Sequence, residues 1–579
     1  MELSDNAQKV LKRRYLLKDE HGNVTETPEE MFRRVSNYVA SADELYGDVT
    51  GSEHDFYSVM SNLEFLPNSP TLMNAGTRIK QLAACFVLPV GDSLDEIFET
   101  LKNAAIIHQS GGGTGFSFSR LRPKGDIVGS TGGIASGPVS FMKVFDAATQ
   151  AIKQGGRRRG ANMGILKVEH PDIVDFISVK HEPGVLTNFN LSVGVSDAFM
   201  DAVEAGQSFG LVNPRNGEVT AYRDAIEIFK FIAASAWESG EPGLLFLDRI
   251  NRDNPTPGLG IIEATNPCGE QPLLPYEACN LGSINLERMV DGGNIDYDKL
   301  GRTVDISVRF LDNVIDLEQF PLENIDRMVK GNRKIGLGVM GFADMLIHSG
   351  IAYNSPEAVE RAEEVMTFLC NRAVQASEEI AQRRGVFGNF SGSIYDRPGW
   401  PAVRNSTRIT IAPTGTISII AGCSSGIEPI YAVSYVKTVM EGEKLMVTNP
   451  HFEQIARSEG FYSPELMERI ASAGSVKGMP DVPDAVQQLF VTSHDMSYEW
   501  HIRLQAAFQK YADNAISKTI NFRHDATKED VIRAFRLAYT LGCKGITVYR
   551  DRSRSEQVLT TVDDVLQDCD YCGVVLNPT

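Results

Sequence analysis

The sequence predicts a large α/β protein with a small helical N-terminal region and a flexible C-terminal tail. Over residues 67–554, short apolar stretches such as Gly164-Ile-Leu-Lys-Val alternate with long amphipathic runs such as 356–384. Strand followed by helix, repeated many times, is the pattern of α/β architectures. Residues 1–66 show helical spacing alone, whereas residues 555–579 are polar and lack periodicity.

Composition and charge disfavour several classes of protein. The chain has 56 basic and 75 acidic side chains, and its net charge of −19 disfavours nonspecific binding to nucleic acid or to a membrane surface. The sequence has neither a long apolar run nor a basic and apolar leader, so we expect no membrane span and a cytoplasmic location. In a reducing compartment, the eight cysteines are expected to serve catalysis or metal binding rather than a disulfide framework.

The most informative segment is Asn266-Pro-Cys268-Gly-Glu270, which Cys279 follows closely. It places a reactive sulfur between an amide, which can bind a substrate, and a carboxylate, which can move a proton. The segment is predicted to be a rigid loop because three prolines exclude a regular helix or a central strand: Pro267, Pro272 and Pro275. On these residues alone, the alternative interpretation is a turn that carries a buried cysteine.

With this segment, the chain from Pro67 to Arg554 resembles the catalytic chain of the adenosylcobalamin-dependent, class II ribonucleotide reductases. The resemblance implies a ten-stranded α/β barrel of the ribonucleotide reductase and glycyl radical enzyme type. It also implies the reduction of ribonucleotides to 2′-deoxyribonucleotides, the precursors of DNA. By this match Cys268 forms a thiyl radical that removes the 3′ hydrogen of the ribose, Glu270 takes the proton of the 3′ hydroxyl, and Asn266 hydrogen-bonds the ribose hydroxyls.

The same resemblance identifies Cys85 and Cys279 as the cysteine pair that supplies two electrons and ends as a disulfide. These residues are far apart in the sequence, yet a disulfide needs Cα atoms within roughly 7 Å of each other. The fold is therefore expected to bring the two segments together.

A substrate site is also implied. Residues 67–78 resemble the family's substrate-binding strand, and Ala84 stands where some relatives have a serine, so only a backbone contact is expected there. Residues 412–418 resemble the site for the substrate phosphates, since N–H groups at a helix start favour an anion. Without the family, this segment is a common capped turn. The implied residues are Ser69, Ala84, Gly113, Pro413, Thr414, Gly415, Thr416, Ile417 and Ser418.

An allosteric site for deoxynucleoside triphosphates at the interface of a homodimer is implied by Asp92, Ser93 and Arg122. Two glycine-rich loops would complete it, loop one at 124–137 and loop two at 154–162. Loop two carries Arg157 and Arg158, a cluster that suits a phosphate better than a polynucleotide. The residues before Cys85 lack a recognisable nucleotide-binding cone, so we expect control of substrate choice without ATP/dATP on-off control.

The remaining cysteines divide into two groups. Cys569 and Cys572 are expected to form a redox shuttle that reduces the spent disulfide and is itself reduced by thioredoxin or a similar protein. Their alternative role is zinc binding, although a second pair of ligands is missing nearby. Cys370, Cys423 and Cys543 are expected to be ordinary buried residues.

The radical source is inferred by comparing classes within the family. The segment that ends at Tyr549 and Arg550 has a single tyrosine, whereas a class I chain would carry a Tyr-Tyr pair, and a class III glycyl radical segment is also missing. These differences favour adenosylcobalamin, although the sequence does not identify its contacts and leaves diphosphate and triphosphate substrates open. The alternatives are a class I subunit that needs a metal-bearing partner and a nonenzymatic nucleotide-binding or redox-sensing protein.

A dinucleotide-like pattern, Gly336-Leu-Gly338-Val-Met-Gly341, is a further feature of the sequence. No clear βαβ unit with an acidic partner follows it, so we assign these glycines to packing within the barrel.

Overall fold

A computed structural model describes residues 3–47, 51–129, 132–152, 160–439, 443–553 and 559–560. In these ranges the α-helices, α1 to α20 in chain order, are Asp5–Val10, Pro28–Ala40, Ser52–Ser61, Ser69–Asn74, Leu94–Gln109, Pro138–Ile152, Ile173–Ser178, Asp197–Ala205, Ala225–Ser239, Leu247–Arg252, Tyr297–Leu317, Glu323–Asn332, Phe342–His348, Pro356–Arg384, Ile417–Ala421, Pro450–Ser458, Pro464–Ala473, Asp484–Leu489, Tyr498–Gln509 and Lys528–Thr540. Of the helices in the described part of the chain, none has both the length and the apolar character needed to cross a membrane.

The strands, β1 to β21, are Phe65–Pro67, Cys85–Pro89, Gly113–Ser117, Ile127–Val128, Gly133–Ile134, Asn162–Lys167, Phe189–Val195, Ser208–Val212, Val219–Asp224, Gly243–Phe246, Ala264–Thr265, Pro272–Leu273, Ala278–Asn285, Val290–Asp291, Asn294–Ile295, Ile335–Met340, Ser434–Val439, Glu443–Thr448, Thr519–Phe522, Gly545–Arg550 and Leu559–Thr560. Short 3₁₀ segments lie at Ser41–Tyr46, Val179–His181, Pro257–Leu259 and Leu286–Met289, and a π-helical turn lies at Leu11–Tyr15.

The N-terminal region is helical, as predicted. Helix α2 begins with a capping box in which the Thr27 side chain accepts from the Glu30 N–H and Glu30 accepts from the Thr27 N–H. Its apolar residues recur at helical spacing and are buried: Met31, Phe32, Val35 and Val39. This face packs against α3 and against the long helix α11.

Ten strands form one hydrogen-bonded sheet. Its order is β1, β13, β2, β3, β6, β7, β10, β20 and β19, and β16 also pairs with β13. Neighbouring strands from β2 through β10 are parallel, because helices connect each strand to the next. The segment 409–411 forms a bridge to Leu337 of β16 through Ile409 and a bridge to Ile516, just before β19, through Ile411. These bridges close the sheet on itself. The predicted ten-stranded barrel is confirmed.

A short hairpin, formed by β11 and β12, lies inside this barrel. Its apolar residues share a core with inward-facing side chains of β2, β6, β10 and β13. A Cβ atom added at Gly115 of β3 would lie 1.7 Å from the Thr265 carbonyl oxygen of the hairpin. Only glycine therefore allows the two backbones to approach this closely.

The glycines of the dinucleotide-like pattern serve packing in the barrel, as predicted. Gly336 and Gly338 lie in β16, and a Cβ atom on Gly338 would lie 2.2 Å from the carbonyl oxygen of Thr410. The neighbouring chain segment therefore occupies the space in which a side chain would stand.

Two expectations differ from the structure. Ser69 begins helix α4 rather than lying in a strand, because the Asn68 side chain caps this helix by accepting from the Thr71 N–H. Cys370 and Cys423 are only half-buried, whereas Cys543 is fully buried as expected. Of the predicted tail, the structure describes only Leu559–Thr560, which pairs with β17, and residues 555–558 and 561–579 lie outside the described residues.

A buried charge network joins the N-terminal helices to the barrel. Asp312 on α11 is fully buried and accepts hydrogen bonds from Arg333 at 2.8 and 2.9 Å. Arg384 and Arg404 also lie within 3.5 Å of its carboxylate, and Arg384 pairs with Asp43 of the N-terminal region. Burial alone would raise the pKa of Asp312, but the three guanidinium charges outweigh it and lower this pKa below its ordinary value.

Replacing Asp312 by Asn is expected to lower the free energy of unfolding by about 3–5 kcal/mol, because three buried guanidinium groups lose their common anion. Urea denaturation measures this loss. Asp326→Asn is the control, since Asp326 pairs with Lys330 at the surface, where ion pairs contribute about 0–1 kcal/mol. An equal loss of unfolding free energy in both variants would contradict the role of Asp312 as the common anion of the network.

The pH dependence of this contribution has a defined sign. Because folding lowers the pKa of Asp312, its stabilising contribution is complete above the unfolded pKa near 3.9 and disappears as the pH falls through the folded pKa. The stability difference between the wild type and Asp312→Asn should therefore shrink in acid.

Replacing Gly115 by Ala is expected to lower the free energy of unfolding by about 3 kcal/mol, because the added methyl group collides with the backbone of the hairpin. Gly258→Ala is the matched control, since no atom lies within 4 Å of a Cβ at that position. Urea denaturation of both variants tests whether the hairpin lies against β3. A Gly115→Ala protein as stable as the wild type would contradict this position.

Candidate active site

Cys268 stands at the tip of the hairpin, where the chain reverses. The Gly269 N–H donates to the Asn266 carbonyl at 3.1 Å, and Gly269 adopts a φ of +85°, which favours glycine. The Asn266 side-chain oxygen accepts from the Gln271 N–H at 3.0 Å. This turn leaves Cys268 exposed while it buries Asn266 and Glu270 beside it.

Two barrel segments anchor the turn through the backbone of Glu270. Its carbonyl oxygen accepts from the Thr410 hydroxyl at 2.8 Å and from the Ala515 N–H at 2.9 Å. On the opposite side, the Asn190 amide donates to the Pro267 carbonyl at 2.8 Å. The turn is thus held by groups from three distant parts of the chain.

Cys85 and Cys279 lie directly opposite each other on the antiparallel strands β2 and β13. Opposite residues in such a ladder have Cα atoms roughly 4.5–5.5 Å apart, within the range that a disulfide requires. The Asn266 amide nitrogen lies 3.1 Å from the Cys85 sulfur and donates to it. One amide therefore connects the tip of the hairpin with the cysteine pair.

Both paired cysteines are buried thiols. Burial, reinforced by the negative charge of Glu270, raises the pKa of Cys85 well above its ordinary value. Burial likewise raises the pKa of Cys279, although the charge of Lys334 partly opposes it. The Cys279 thiol donates to the Asn280 carbonyl at 3.2 Å. At neutral pH the pair is therefore protonated and carries hydrogen atoms as well as electrons.

The tip of the hairpin opens into a cavity of about 290 Å³, here called the front cavity. Most residues that the sequence associated with a substrate line it: Ser69, Ala84, Cys85, Gly113, Asn266, Cys268, Glu270, Pro413, Thr414, Gly415, Thr416 and Ile417. Asn68, Pro70 and Pro267 also line it and lie within segments that the sequence singled out, although they were not named as site residues. Sequence reasoning missed the remaining lining residues, namely Gly111, Ala161, Leu281, Gly282 and Ser283. The lining residues that were not named are mostly small or apolar, and such side chains do not indicate a binding site in a sequence. Only those beside a recognised motif, such as Asn68 and Gly111, could have been found from the sequence.

Ser418 does not line the front cavity, contrary to expectation. Helix α15 begins at Ile417, and Ser418 turns inward so that its hydroxyl lies 2.9 Å from that of Ser425. Thr414 holds the preceding turn with a φ of +53°, and its hydroxyl accepts from the Gly426 N–H at 2.7 Å. The residues around Gly415 remain at the cavity wall.

Ser69 has a partner in the N-terminal region. Its hydroxyl lies 2.7 Å from the Tyr15 hydroxyl, a contact that the sequence did not indicate. The N-terminal helices therefore help to position one wall of the front cavity.

A second cavity of about 460 Å³, here called the rear cavity, lies on the other side of the hairpin tip. Pro267, Cys268 and Pro413 line both cavities. Most of the remaining lining comes from β7, β10, β19 and β20, with Glu241, Tyr431 and residues 516–518 beside them. Polar residues of these strands that line the cavity include Asn190, Ser192, Asn521, Thr547 and Tyr549. Of the cysteines that line these cavities, Cys268 is the one that lines both.

The predicted effector residues are partly brought together. The Arg122 guanidinium donates to the Asp92 carboxylate at 2.9 Å and to the Ile127 carbonyl of loop one, also at 2.9 Å. Ser93 caps helix α5 by accepting from the Glu96 N–H. Arg157, Arg158, Cys569 and Cys572 lie outside the described residues.

Comparisons with known proteins agree with this architecture. Residues 83–549 match the family model "Ribonucleotide reductase, barrel domain", and residues 1–80 match "Ribonucleotide reductase, all-alpha domain". The chain is 52% identical to a vitamin B12-dependent ribonucleoside-diphosphate reductase of Thermoplasma acidophilum, over 97% of this chain and 80% of the relative. A Mycobacterium tuberculosis protein of the same name is 49% identical, over 97% of this chain and 81% of the relative.

A solved structure is similar over nearly its full length. The class Id ribonucleotide reductase alpha subunit of Actinobacillus ureae aligns with a TM-score of 0.79 and 25% sequence identity, covering 95% of this chain and 97% of that chain. The barrel, the hairpin inside it and these similarities lead to one conclusion: the chain belongs to the ribonucleotide reductase family.

Proposed function

We propose that this chain reduces ribonucleoside diphosphates to 2′-deoxyribonucleoside diphosphates through a thiyl radical on Cys268, with adenosylcobalamin as the radical source. The observation that carries this proposal is the position of Cys268 at a tip shared by two cavities. One cavity can hold the substrate and the other can hold the group that activates the sulfur. The diphosphate specificity rests on the names of the two relatives described above.

The rear cavity is of a size to hold the adenosyl group of the cofactor, although not the whole cobalamin, and its lining offers polar contacts. Its volume of about 460 Å³ lies within the roughly 300–1,000 Å³ typical of ligand pockets. Gly243 lines it, and a Cβ atom there would stand 2.9 Å from the Ile546 carbonyl and close to Ser192 and Thr547. Asn190, Ser192, Asn521, Thr547 and Tyr549 offer polar contacts to the bound group. When bound, adenosylcobalamin supplies the radical chemistry that converts the Cys268 thiol to a thiyl radical.

The residues of the front cavity have separate roles in the reaction of the ribose. Cys268 removes the 3′ hydrogen atom, and Glu270, buried within the same turn, accepts the proton of the 3′ hydroxyl. The 2′ hydroxyl leaves as water. Cys85 and Cys279 provide the two electrons and two protons that balance this loss, and they end as a disulfide. Cys268 then returns its hydrogen atom to the 3′ carbon, and Glu270 returns the proton to the 3′ oxygen.

Asn266 has two tasks in this scheme. Its side-chain oxygen is engaged by the Gln271 N–H, and its nitrogen donates to the Cys85 sulfur. We assign it to orient Cys85 and to hydrogen-bond the ribose hydroxyls from the cavity wall. The turn from Pro413 to Ile417 lines the same cavity and is assigned to the substrate phosphates.

The other partners follow from the family pattern. Deoxynucleoside triphosphate effectors are assigned to the Asp92 and Arg122 region together with Arg157 and Arg158, at a homodimer interface. Cys569 and Cys572 are assigned to carry electrons from thioredoxin or a similar reductant to the disulfide. A cytoplasmic location suits a chain whose described cysteines are all free thiols.

The class I alternative is not favoured. The chain is 49–52% identical to relatives named as vitamin B12-dependent, but 25% identical to the class Id alpha subunit that shares its fold. Turnover that required a metal-bearing partner chain and no adenosylcobalamin would reverse this preference.

Replacing Cys268 by Ser is expected to lower turnover at least about 10⁴-fold, because an O–H bond is too strong to give and take a hydrogen atom. The assay combines a ribonucleoside diphosphate, dithiothreitol and adenosylcobalamin, and measures the deoxyribonucleotide by chromatography. Cys370→Ser, which lies in neither cavity lining, serves as the control and should stay active. Full activity of Cys268→Ser would instead favour the nonenzymatic alternative or another radical residue.

Replacing Thr547 by Trp is expected to weaken adenosylcobalamin binding at least about tenfold, or about 1.4 kcal/mol, because the indole occupies part of the rear cavity. Equilibrium binding monitored by the cobalamin absorbance measures the effect, and saturating cofactor should restore much of the turnover. Thr220→Trp is the matched control, since Thr220 is also an exposed strand residue but lies outside this cavity. Unchanged affinity in Thr547→Trp would place the cofactor elsewhere.

A further inference from the structure

Four side chains converge outside both cavities: Glu287, Asp344, His348 and His451. We call them the histidine-carboxylate cluster. Glu287 lies in the 3₁₀ segment that follows β13, and His451 lies in the first turn of α16. Asp344 and His348 stand four residues apart on α13, which places them on the same face of that helix. Three separate parts of the chain therefore supply this cluster.

The distances within the cluster are those of potential metal ligands. One ligand atom from each of Glu287, His348 and His451 lies within 4.8 Å of the other two. The Glu287 Oε1 atom is 3.9 Å from His348 Nε2 and 3.6 Å from His451 Nε2. Asp344 Oδ1 lies 3.9 Å from the same His451 nitrogen. Ligands of a tetrahedral zinc ion stand roughly 3.3 Å apart, so a small contraction would enclose an ion.

The two histidine rings also contact each other directly. His348 Nε2 lies 3.1 Å from His451 Nδ1, so only one of the two His451 nitrogens can serve a shared ion. The His451 Nε2 atom faces both carboxylates, whereas the Nε2 atom of the half-exposed His348 ring would have to exchange its contact with His451 for a shared ion. Its exposure also provides a path by which an ion could enter.

The charge of the cluster is unbalanced. Among the described residues, no lysine or arginine forms an ion pair with Glu287 or Asp344, and the nearby Arg288 is exposed. Two carboxyl groups and two imidazoles therefore meet without a basic side chain paired to either carboxyl, and a divalent cation would supply positive charge at this place.

We propose that the histidine-carboxylate cluster is a structural zinc site with two imidazole and two carboxylate ligands. Imidazole nitrogen suits zinc, and four protein ligands fill a tetrahedral shell. The site is independent of the proposed reductase chemistry, because none of its ligands lines the front or the rear cavity.

The position of the site indicates what the ion would stabilise. Helices α16, α17 and α18 enclose a small apolar core of their own, in which Ile347 of α13 takes part. His348 and His451 adjoin Ile347 and Phe452, two members of that core. Zinc would therefore add a further connection between this helical unit and the barrel, beside the apolar contact of Ile347.

The first test uses the full chain, stripped of metal by a chelator and kept free of cobalamin. Titration with ZnCl₂, followed by elemental analysis after desalting, should show about one tightly held zinc per chain. X-ray absorption spectroscopy of this sample should show only nitrogen and oxygen ligands. Failure to retain zinc, or a shell containing sulfur, would overturn the proposal.

Variants distinguish this site from the cysteines of the tail. Glu287→Gln and His348→Ala should weaken zinc binding about 100-fold or more, because each removes a ligand. Both His21→Ala, which changes an exposed histidine, and the double variant Cys569→Ser/Cys572→Ser should retain the ion. Loss of zinc in the cysteine variant alone would assign the metal to the tail instead.

A stability measurement gives a readout separate from enzyme activity. Zinc should raise the thermal denaturation midpoint of the wild type and of His21→Ala but not that of His348→Ala, because only ligand-bearing chains gain binding energy on folding. Hydrogen exchange should locate the added protection in α16 to α18. An equal rise in the midpoint of all variants would count against the site.

Discussion

The architecture depends on the close contact between the hairpin and strand β3. The Thr265 carbonyl occupies the space in which a side chain of residue 115 would stand, so the backbone of the hairpin lies against the barrel wall. This contact fixes the depth to which the hairpin enters and therefore the position of Cys268. Hydrogen bonds to Glu270 and Pro267 then hold the tip between opposite walls. The two cavities exist as separate spaces because the hairpin tip stands between them.

The three central sulfurs occupy different electrostatic environments. Cys85 and Cys279 are buried on neighbouring strands, where desolvation keeps them protonated, whereas Cys268 is exposed at the tip. A buried thiol is a poor nucleophile but can still donate a hydrogen atom. This division suits hydrogen-atom chemistry at an open sulfur that is supplied by a protected reductant pair. The amide of Asn266 joins the two environments through its contact with Cys85.

Connections far from the hairpin support this arrangement. The Asp312 network attaches the N-terminal helices through Asp43, and Tyr15 of the same region contacts Ser69 at the front cavity. At another side of the molecule, the histidine-carboxylate cluster lies between the barrel and helices α16 to α18. Helices α16 to α18 have a separate apolar core, whereas the N-terminal helices share the main core with the barrel, and in both places ionisable or hydrogen-bonding side chains add to the connection. Such directional contacts set the relative orientation of units that apolar burial alone would leave less precisely defined.

The sequence by itself determined the α/β class, the helical N-terminal region and the importance of residues 266–270, because periodicity, proline positions and adjacent functional groups are local properties. The family resemblance added the ten-stranded barrel and the pairing of Cys85 with Cys279. Only the tertiary structure decided that Ser418 turns away from the front cavity, that Ser69 begins a helix and that Cys268 faces a second cavity. It alone brought Glu287, Asp344, His348 and His451 together. These features depend on contacts between residues distant in the chain, and no local pattern specifies the space that such contacts enclose.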